Sequence, residues 1–172
     1  IHYPVLVRPS YVLSGDDMKV VYNSNELEKF LNFTKNTKNK YNIVISKFFQ
    51  DAKEIEVDGV SDGQTVVIGS IIEHIENAGV HSGDATMVIP PQTLTPKNKK
   101  DLINIATKIV RELKIIGPFN IQSLFKNNTF SIIECNIRAS RSMPFVSKIR
   151  KMNLIHIAIE AMLKNKIEEV PY

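Results

Sequence analysis

Hydrophobic positions along this chain switch between two periods, and the switches mark out its elements. Val5-Leu6-Val7-Arg8 is a short β-rich run that Pro9 stops. A loop of small and polar residues, Ser10 to Met18, leads to a second strand, Lys19 to Tyr22. Asn23 or Ser24, with Glu26 close behind, starts a helix that carries Leu27, Phe30 and Leu31 on one face. The polar stretch Thr34 to Lys40 ends this first lobe of two strands and a helix, residues 1 to about 47. Ile43 to Phe49 opens a second lobe and is followed by Glu54 to Val60, a tight turn at Asp62-Gly63, and a return strand, Thr65 to Ile75. The long apolar runs of the return strand imply that both its faces are covered.

From Glu76 to Thr93 the period is lost among small and polar residues, which marks a functional or disordered segment. Thr95 as N-cap and Pro96 at the first helical position then open the clearest helix. Leu102, Ile105, Ala106, Ile109, Val110 and Leu113 form its apolar face, and Gly117-Pro118 closes it. A hairpin of Phe119 to Phe125 and Phe130 to Asn136 follows, and two helical segments finish the chain, the second from about Leu154 to Leu163. The fold class this predicts is α+β.

Composition narrows the reading only slightly. The 172 residues are 43% hydrophobic and 23% charged, and no apolar stretch approaches the roughly 18 residues of a membrane span. No secretory signal is visible, and the chain opens almost at once on a strand-like run without a methionine. A piece cut from a longer polypeptide is expected. The single cysteine, Cys135, fits a reducing, cytoplasmic setting and lies between Glu134 and Asn136, so it points to the opposite strand face as a small packing residue. Net charge is +4, and the run Lys35, Lys38, Lys40 lacks interleaved aromatics. Neither a nucleic acid nor a membrane is an expected partner. A polyphosphate suits the mild basic excess.

The candidate chemistry lies in the hairpin. Glu134 and Asn136 share one strand face, Gln122 lies on the strand before, and Arg138 and Arg141 follow. Magnesium takes hard oxygen ligands and commonly shares them with substrate phosphates, so one carboxylate and two carboxamides make a cradle for the metal and a triphosphate. Register decides whether they meet. A two-residue turn would put Gln122 opposite Ile133 and send Glu134 to the other face. A three-residue loop, Asn127 to Thr129, pairs Lys126 with Phe130 and puts Gln122 opposite Glu134 and Asn120 opposite Asn136. The odd loop is therefore expected. A merely solvated hairpin face is the competing reading.

Arg138 and Arg141 present guanidinium forks suited to phosphate, or else surface ion pairs. The loop Gly79-Val80-His81-Ser82-Gly83-Asp84 offers close backbone approach and a histidine donor, or else a plain turn. Arg8 with Ser10 to Gly15 suits a phosphate lid, or else a hairpin connection; it is no Walker A loop. His2, His74 and His156 show no pattern beyond packing or surface roles.

Four stretches together resemble the ATP-grasp fold, and within it the large subunit of carbamoyl-phosphate synthetase. They are Tyr-Pro-Val-Leu-Val-Arg-Pro-Ser-Tyr-Val-Leu from Tyr3, Glu-Ile-Glu-Val-Asp from Glu54, Glu-His-Ile-Glu-Asn-Ala-Gly-Val-His-Ser-Gly-Asp from Glu73, and Glu-Cys-Asn-Ile-Arg-Ala-Ser-Arg-Ser-Met-Pro-Phe-Val-Ser-Lys from Glu134. The resemblance implies a partial lid lobe, residues 1–47, and a C-terminal ATP-grasp lobe with a mostly antiparallel sheet, residues 48–172, with MgATP between them. It implies an ATP-dependent ligase that phosphorylates carbamate or bicarbonate during carbamoyl phosphate synthesis, for pyrimidines or arginine. The third stretch looks more like the second, carbamate-phosphorylating half.

Carried over by position, Arg8 resembles a lid arginine on ATP phosphates, Lys47 and Phe49 border the adenine, and Glu54 matches a ribose-binding carboxylate. Gly79, Val80, His81 and Ser82 match a nucleotide-contacting loop. Gln122 and Glu134 resemble shared ligands of ATP and of Mg2+ (or Mn2+), with Asn136 completing the metal set. Arg141 would stabilise the phosphoryl group in transfer, and Arg138 is the second candidate. Implied partners are a glutamine amidotransferase subunit or domain and the other synthetase half. The chain departs from the family in having Asn136-Ile137-Arg138 for Asn-Pro-Arg and Ser14-Gly15 for Gly-Gly, and it lacks the preceding lobe, so the piece alone is not expected to turn over. Two rivals share many of these features: another ATP-grasp ligase such as a biotin-dependent carboxylase, and a non-catalytic nucleotide-binding or interface module.

Overall fold

A computed structural model describes residues 2–10, 18–35, 42–80 and 83–172. They fall into two compact units, one built from the chain up to Gln50 with Gly83 and Asp84, the other from Asp51–Val80 and Ala85–Tyr172.

In the smaller unit, β1 (Val5–Pro9), β2 (Lys19–Val21) and β3 (Ile43–Lys47) form an antiparallel sheet in the order β2-β1-β3. Alternation along β1 turns Val5 and Val7 inward onto Val21, and Leu27 and Phe30 of α1 (Ser24–Lys35) pack on them with Ile43. Asn23 caps this helix: its Oδ1 accepts from Glu26 N at 2.9 Å, while the Glu26 carboxylate accepts from Tyr22 N at 3.0 Å. The run from Ile43 therefore belongs to the small sheet, not to the second lobe it was expected to open. Its pairing with all five residues of β1 supplies the third strand that an isolated hairpin needs for stability.

The larger unit is a five-stranded antiparallel sheet, ordered β6-β5-β4-β7-β8. Its strands are β4 (Lys53–Asp62), β5 (Val66–Asn77), β6 (Met87–Val88), β7 (Ile116–Lys126) and β8 (Thr129–Asn136). Helix α2 (Pro96–Glu112) covers one face, where Ile55, Val57, Ile71, Phe119 and Ile121 meet Leu102, Ala106 and Val110 in one buried cluster. Cys135 packs at the edge of this cluster, on the face opposite its neighbours Glu134 and Asn136. Helices α3 (Met143–Ile149) and α4 (Leu154–Met162) pack on the other face, over Val60, Val67 and Ile72. Covering both faces explains the unbroken apolar runs of β5. A bulge at Gly69 helps the close fit, because a Cβ there would lie 2.5 Å from Leu154 Cδ1.

Helix α2 starts as its sequence predicts. Thr95 Oγ1 accepts from Asn98 N at 3.1 Å and Asn98 Oδ1 accepts from Thr95 N at 3.1 Å, a reciprocal capping box. Its end differs from expectation. Leu113 is the exposed C-cap rather than a core position, and Lys114, at φ 51°, turns the chain out of the helix. Gly117 and Pro118 lie inside β7, where φ of 109° at Gly117 suits its passage beneath Met162, whose Cγ would sit 3.1 Å from a Cβ.

The hairpin of β7 and β8 corrects the expected loop. Lys126 pairs with Thr129 across a two-residue turn, Asn127-Asn128, and both asparagines have positive φ (51° and 57°) as a type I′ turn demands. The register is then reset by a bulge: Ser123 pairs with Ile132 but Gln122 with Glu134, leaving Ile133 without a partner. Removing the helix cap tests the packing of the large unit. Thr95→Ala should cost about 1 kcal/mol, read as a lower urea midpoint at unchanged m-value.

Candidate functional site

Two cross-strand rows build the site. Asp58 on β4, Asn120 on β7 and Asn136 on β8 are register partners in one row; Glu56, Gln122 and Glu134 form the next. Directly opposed residues of an antiparallel pair share a face, so all six side chains lie on the side of the sheet that α3 and α4 partly cover. Burial falls along each row. Asp58, Asn120 and Glu56 are buried, Gln122 and Asn136 are half-buried, and Glu134 is exposed.

The buried end is fully hydrogen-bonded, as charge in a core must be. Asn120 Nδ2 donates to Glu56 Oε2 at 2.8 Å and to Asp58 Oδ1 at 2.9 Å. His74 on β5 donates from Nε2 to Glu56 Oε1 at 2.9 Å, and its Nδ1 lies 4.0 Å from Glu54 Oε2. Ligand atoms of Glu54, Glu56 and His74 lie within 4.8 Å of one another. Burial alone would push the His74 pKa down, but the hydrogen bond it donates to Glu56 and the charges of Glu54, Glu56 and Glu76 outweigh it and hold the pKa above its ordinary value. The shift favours the protonated imidazole between these carboxylates. Asp58 is shifted upward by burial, with the Glu56 charge adding to it and the hydrogen bonds from Ser140, Ser142 and Asn120 opposing it.

At the open end, Asn136 Nδ2 donates to Glu134 Oε1 at 2.8 Å, with Gln122 opposite Glu134. One carboxylate and two carboxamides share this face there, an all-oxygen set once the Asn136 amide is turned over, and this donor chemistry fits a hard divalent cation. Arg138 and Arg141 are exposed on the segment between β8 and α3, where Arg138 Nη1 donates to the Ala139 carbonyl at 3.1 Å.

Other residues singled out by sequence fall elsewhere. Arg8 lies half-buried on β1 opposite Val44 in the smaller unit, where Lys47 Nζ also sits 4.9 Å from the centre of the Phe49 ring. Glu54 is buried on β4 beside His74. Gly79, at φ 117°, and the exposed Val80 follow β5. His81, Ser82, residues 11–15 of the expected lid loop, and Lys38 and Lys40 lie outside the described residues. Sequence reasoning passed over Glu56, Asp58, His74, Ser140 and Ser142. The alternating acids Glu54, Glu56 and Asp58 were the available signal, since a strand puts all three on one face.

The His74 pair has a pH signature. A folded pKa held above the unfolded value of 6.5 contributes stability that is fully present below pH 6.5 and is lost as pH rises through the folded pKa. The stability difference between wild type and His74→Gln, from urea melts of the chain at pH 6 to pH 9, should shrink as pH rises. A difference independent of pH would remove the ion pair from the account.

A family model described as the carbamoyl-phosphate synthase L chain, ATP binding domain, matches residues 1–170. The multifunctional protein URA2 of Saccharomyces cerevisiae is 50% identical over 163 residues, covering 95% of this chain and 7% of that protein. The carbamoyl phosphate synthase large chain of Saccharolobus solfataricus is 51% identical over 162 residues, covering 94% of this chain and 15% of that one. The chain thus spans only a small part of these relatives. Among solved structures, a biotin carboxylase–β,γ-ATP complex from Campylobacter jejuni superposes with a TM-score of 0.83 at 19% identity, over 97% of this chain and 38% of that one. The biotin carboxylase domain of 2-oxoglutarate carboxylase from Hydrogenobacter thermophilus, in complex with MgADP, ADP and bicarbonate, gives 0.77 at 19% identity, over 100% and 38%. At such identity the likeness speaks to fold, which is α+β and ATP-grasp. With nearly its whole length matched by the family model and by relatives at half identity, the chain belongs to the ATP-binding domain family of the carbamoyl-phosphate synthase large chain.

Proposed function

We propose that this chain is the nucleotide-binding part of the carbamoyl-phosphate synthetase half that phosphorylates carbamate. The γ-phosphoryl of ATP passes to a carbamate oxygen, leaving ADP and carbamoyl phosphate. The observation that carries the reading is the pairing of Gln122 with Glu134 and of Asn120 with Asn136, which gathers one carboxylate and two carboxamides at the open end of a buried polar network.

Glu134, Gln122 and Asn136 are assigned to Mg2+, or to Mn2+, which takes similar oxygen ligands. A bound ion there supplies positive charge toward the nucleotide phosphates. Arg141, with Arg138 as second candidate, orients the phosphoryl group and offsets its charge; a guanidinium is never deprotonated and reaches two oxygens at once. Glu54 is assigned to the ribose, and Gly79, Val80, His81 and Ser82 to further nucleotide contacts. Arg8, Lys47 and Phe49 are assigned to further nucleotide contacts. Carbamate rather than bicarbonate is favoured by His74-Ile75-Glu76 running into Ala78-Gly79-Val80-His81-Ser82-Gly83-Asp84. The enzyme so read works in the cytoplasm, beside the other synthetase half and a glutamine amidotransferase that supplies ammonia.

The reverse step isolates this half from the rest of the reaction. In the intact enzyme, ATP formation from carbamoyl phosphate and ADP should fall by tenfold or more in Glu134→Gln, since loss of a metal-orienting carboxylate typically costs about 10–100-fold. Reverse activity within about threefold of wild type, with ATP consumption on bicarbonate equally intact, would refute the metal assignment. If Glu134→Gln keeps the reverse reaction but loses ATP consumption with bicarbonate, this chain belongs to the other half.

A further inference from the structure

Asp58 is a wholly buried carboxylate that the proposed chemistry leaves without a task. Its Oδ1 accepts from Asn120, as described, but its Oδ2 reaches across to the segment between β8 and α3. There it accepts from Ser140 Oγ at 2.6 Å and from Ser142 Oγ at 2.6 Å. The two hydroxyls lie 2.9 Å apart, and Ser140 Oγ also accepts from Met143 N at 3.1 Å at the start of α3.

The sequence position of these serines is the informative part. They are the residues immediately before and after Arg141. Both flanking side chains are tied to one carboxylate oxygen, while Arg141 itself is exposed. Ser142 stands at the N-cap of α3, yet its side chain makes no cap bond; the hydroxyl is spent on Asp58 instead. The bond to the first helical N–H comes from Ser140 instead, so both hydroxyls tie the start of α3 and the Arg141 backbone to Asp58. The carboxylate is in turn fixed by Asn120, the register partner of Asn136, so strand pairing sets this anchor of the arginine segment beside the donor strand.

We propose that Asp58 is a positioning residue for phosphoryl transfer, holding Ser140 and Ser142 so that the backbone on both sides of Arg141 keeps a set relation to the Gln122, Glu134 and Asn136 donors. This rests on the assignment of Arg141 to the phosphoryl group. Asp58 touches no substrate. It acts by removing the freedom of a surface segment whose arginine must meet a small moving group, and misplacement by about 1 Å can cost on the order of 100-fold in rate.

The test uses the intact enzyme and the reverse assay, with kcat and KM for ADP measured separately. Asp58→Asn removes the charge in place. The pair Ser140→Ala with Ser142→Ala leaves Asp58 untouched and acts on half-buried positions, so it keeps the test open if the core variant does not fold. Both should lower kcat by about tenfold or more while KM stays within about threefold, because the nucleotide contacts remain. Arg141→Lys supplies the coupling readout: it keeps charge but loses the fork. In that background the serine pair should cost less than about threefold further, since residues acting as one unit are not additive.

A serine pair with normal kcat, or losses that multiply with Arg141→Lys, would overturn the proposal and leave Asp58 a structural residue only. If Arg141→Lys and Arg141→Ala are both fully active while Glu134→Gln is not, the arginine assignment fails, this inference fails with it, and the metal site stands. Loss of melting temperature with unchanged kcat is the result a purely structural Asp58 predicts, and it would also overturn the proposal.

Discussion

Cross-strand pairing between β4, β7 and β8 is the constraint on which the site rests. Period-two alternation sends every second residue of β4 toward α2, where Ile55 and Val57 join an apolar core, and the residues between them, Glu54, Glu56 and Asp58, to the other side. The same alternation on β7 separates Phe119 and Ile121 from Asn120 and Gln122. A slip of one residue in either pairing would bury Gln122 or Glu134 in the α2 core and expose the isoleucines, at a cost of several side-chain burials of about 1.5–3 kcal/mol each. Packing on the α2 side thus enforces chemistry on the opposite side.

The second requirement follows from burial. Asp58 and Glu56 sit where water does not reach them, and a carboxylate in such a place is tolerable only with donors on its oxygens. Asn120 bridges the two acids, His74 brings a proton to Glu56, and two serines close on Asp58. The donors come from three different stretches of chain, so the network locks β5, β7 and the entry to α3 onto β4. Partial loss of such a network is worse than its absence, because every unpaired member bears a desolvation penalty. A graded row, dry at β4 and wet at Glu134, lets a rigid base carry an accessible ligand.

Legibility differed by the range of the interaction concerned. The start of α2 could be read from Thr95, Pro96 and Asn98 because capping is settled within four residues. Its end could not, since Gly117-Pro118 looked like a stop while the turn was made earlier by Lys114, a residue with no propensity for positive φ. The facing of Gln122 and Glu134 was legible from the chemistry the site would need, but the device was not. An odd loop was expected, whereas the chain uses an even turn and an extra residue at Ile133. Bulges leave little trace in sequence. Glu54, Glu56 and Asp58 were visible as an acidic stripe, yet their partners are between 18 and 84 positions away, which one sequence does not reveal. Ser140 and Ser142 were quoted for resemblance alone.

The unpartnered Ile133 has a further consequence, for how this hairpin can drift in evolution. Strand faces depend on whether the count of residues between Gln122 and Glu134 is odd or even, not on the count itself. Eleven residues intervene here, of which one is absorbed as the bulge. The exposed tip is therefore free to grow or shrink by pairs, whereas a lone insertion survives only when a second change elsewhere in the hairpin restores parity.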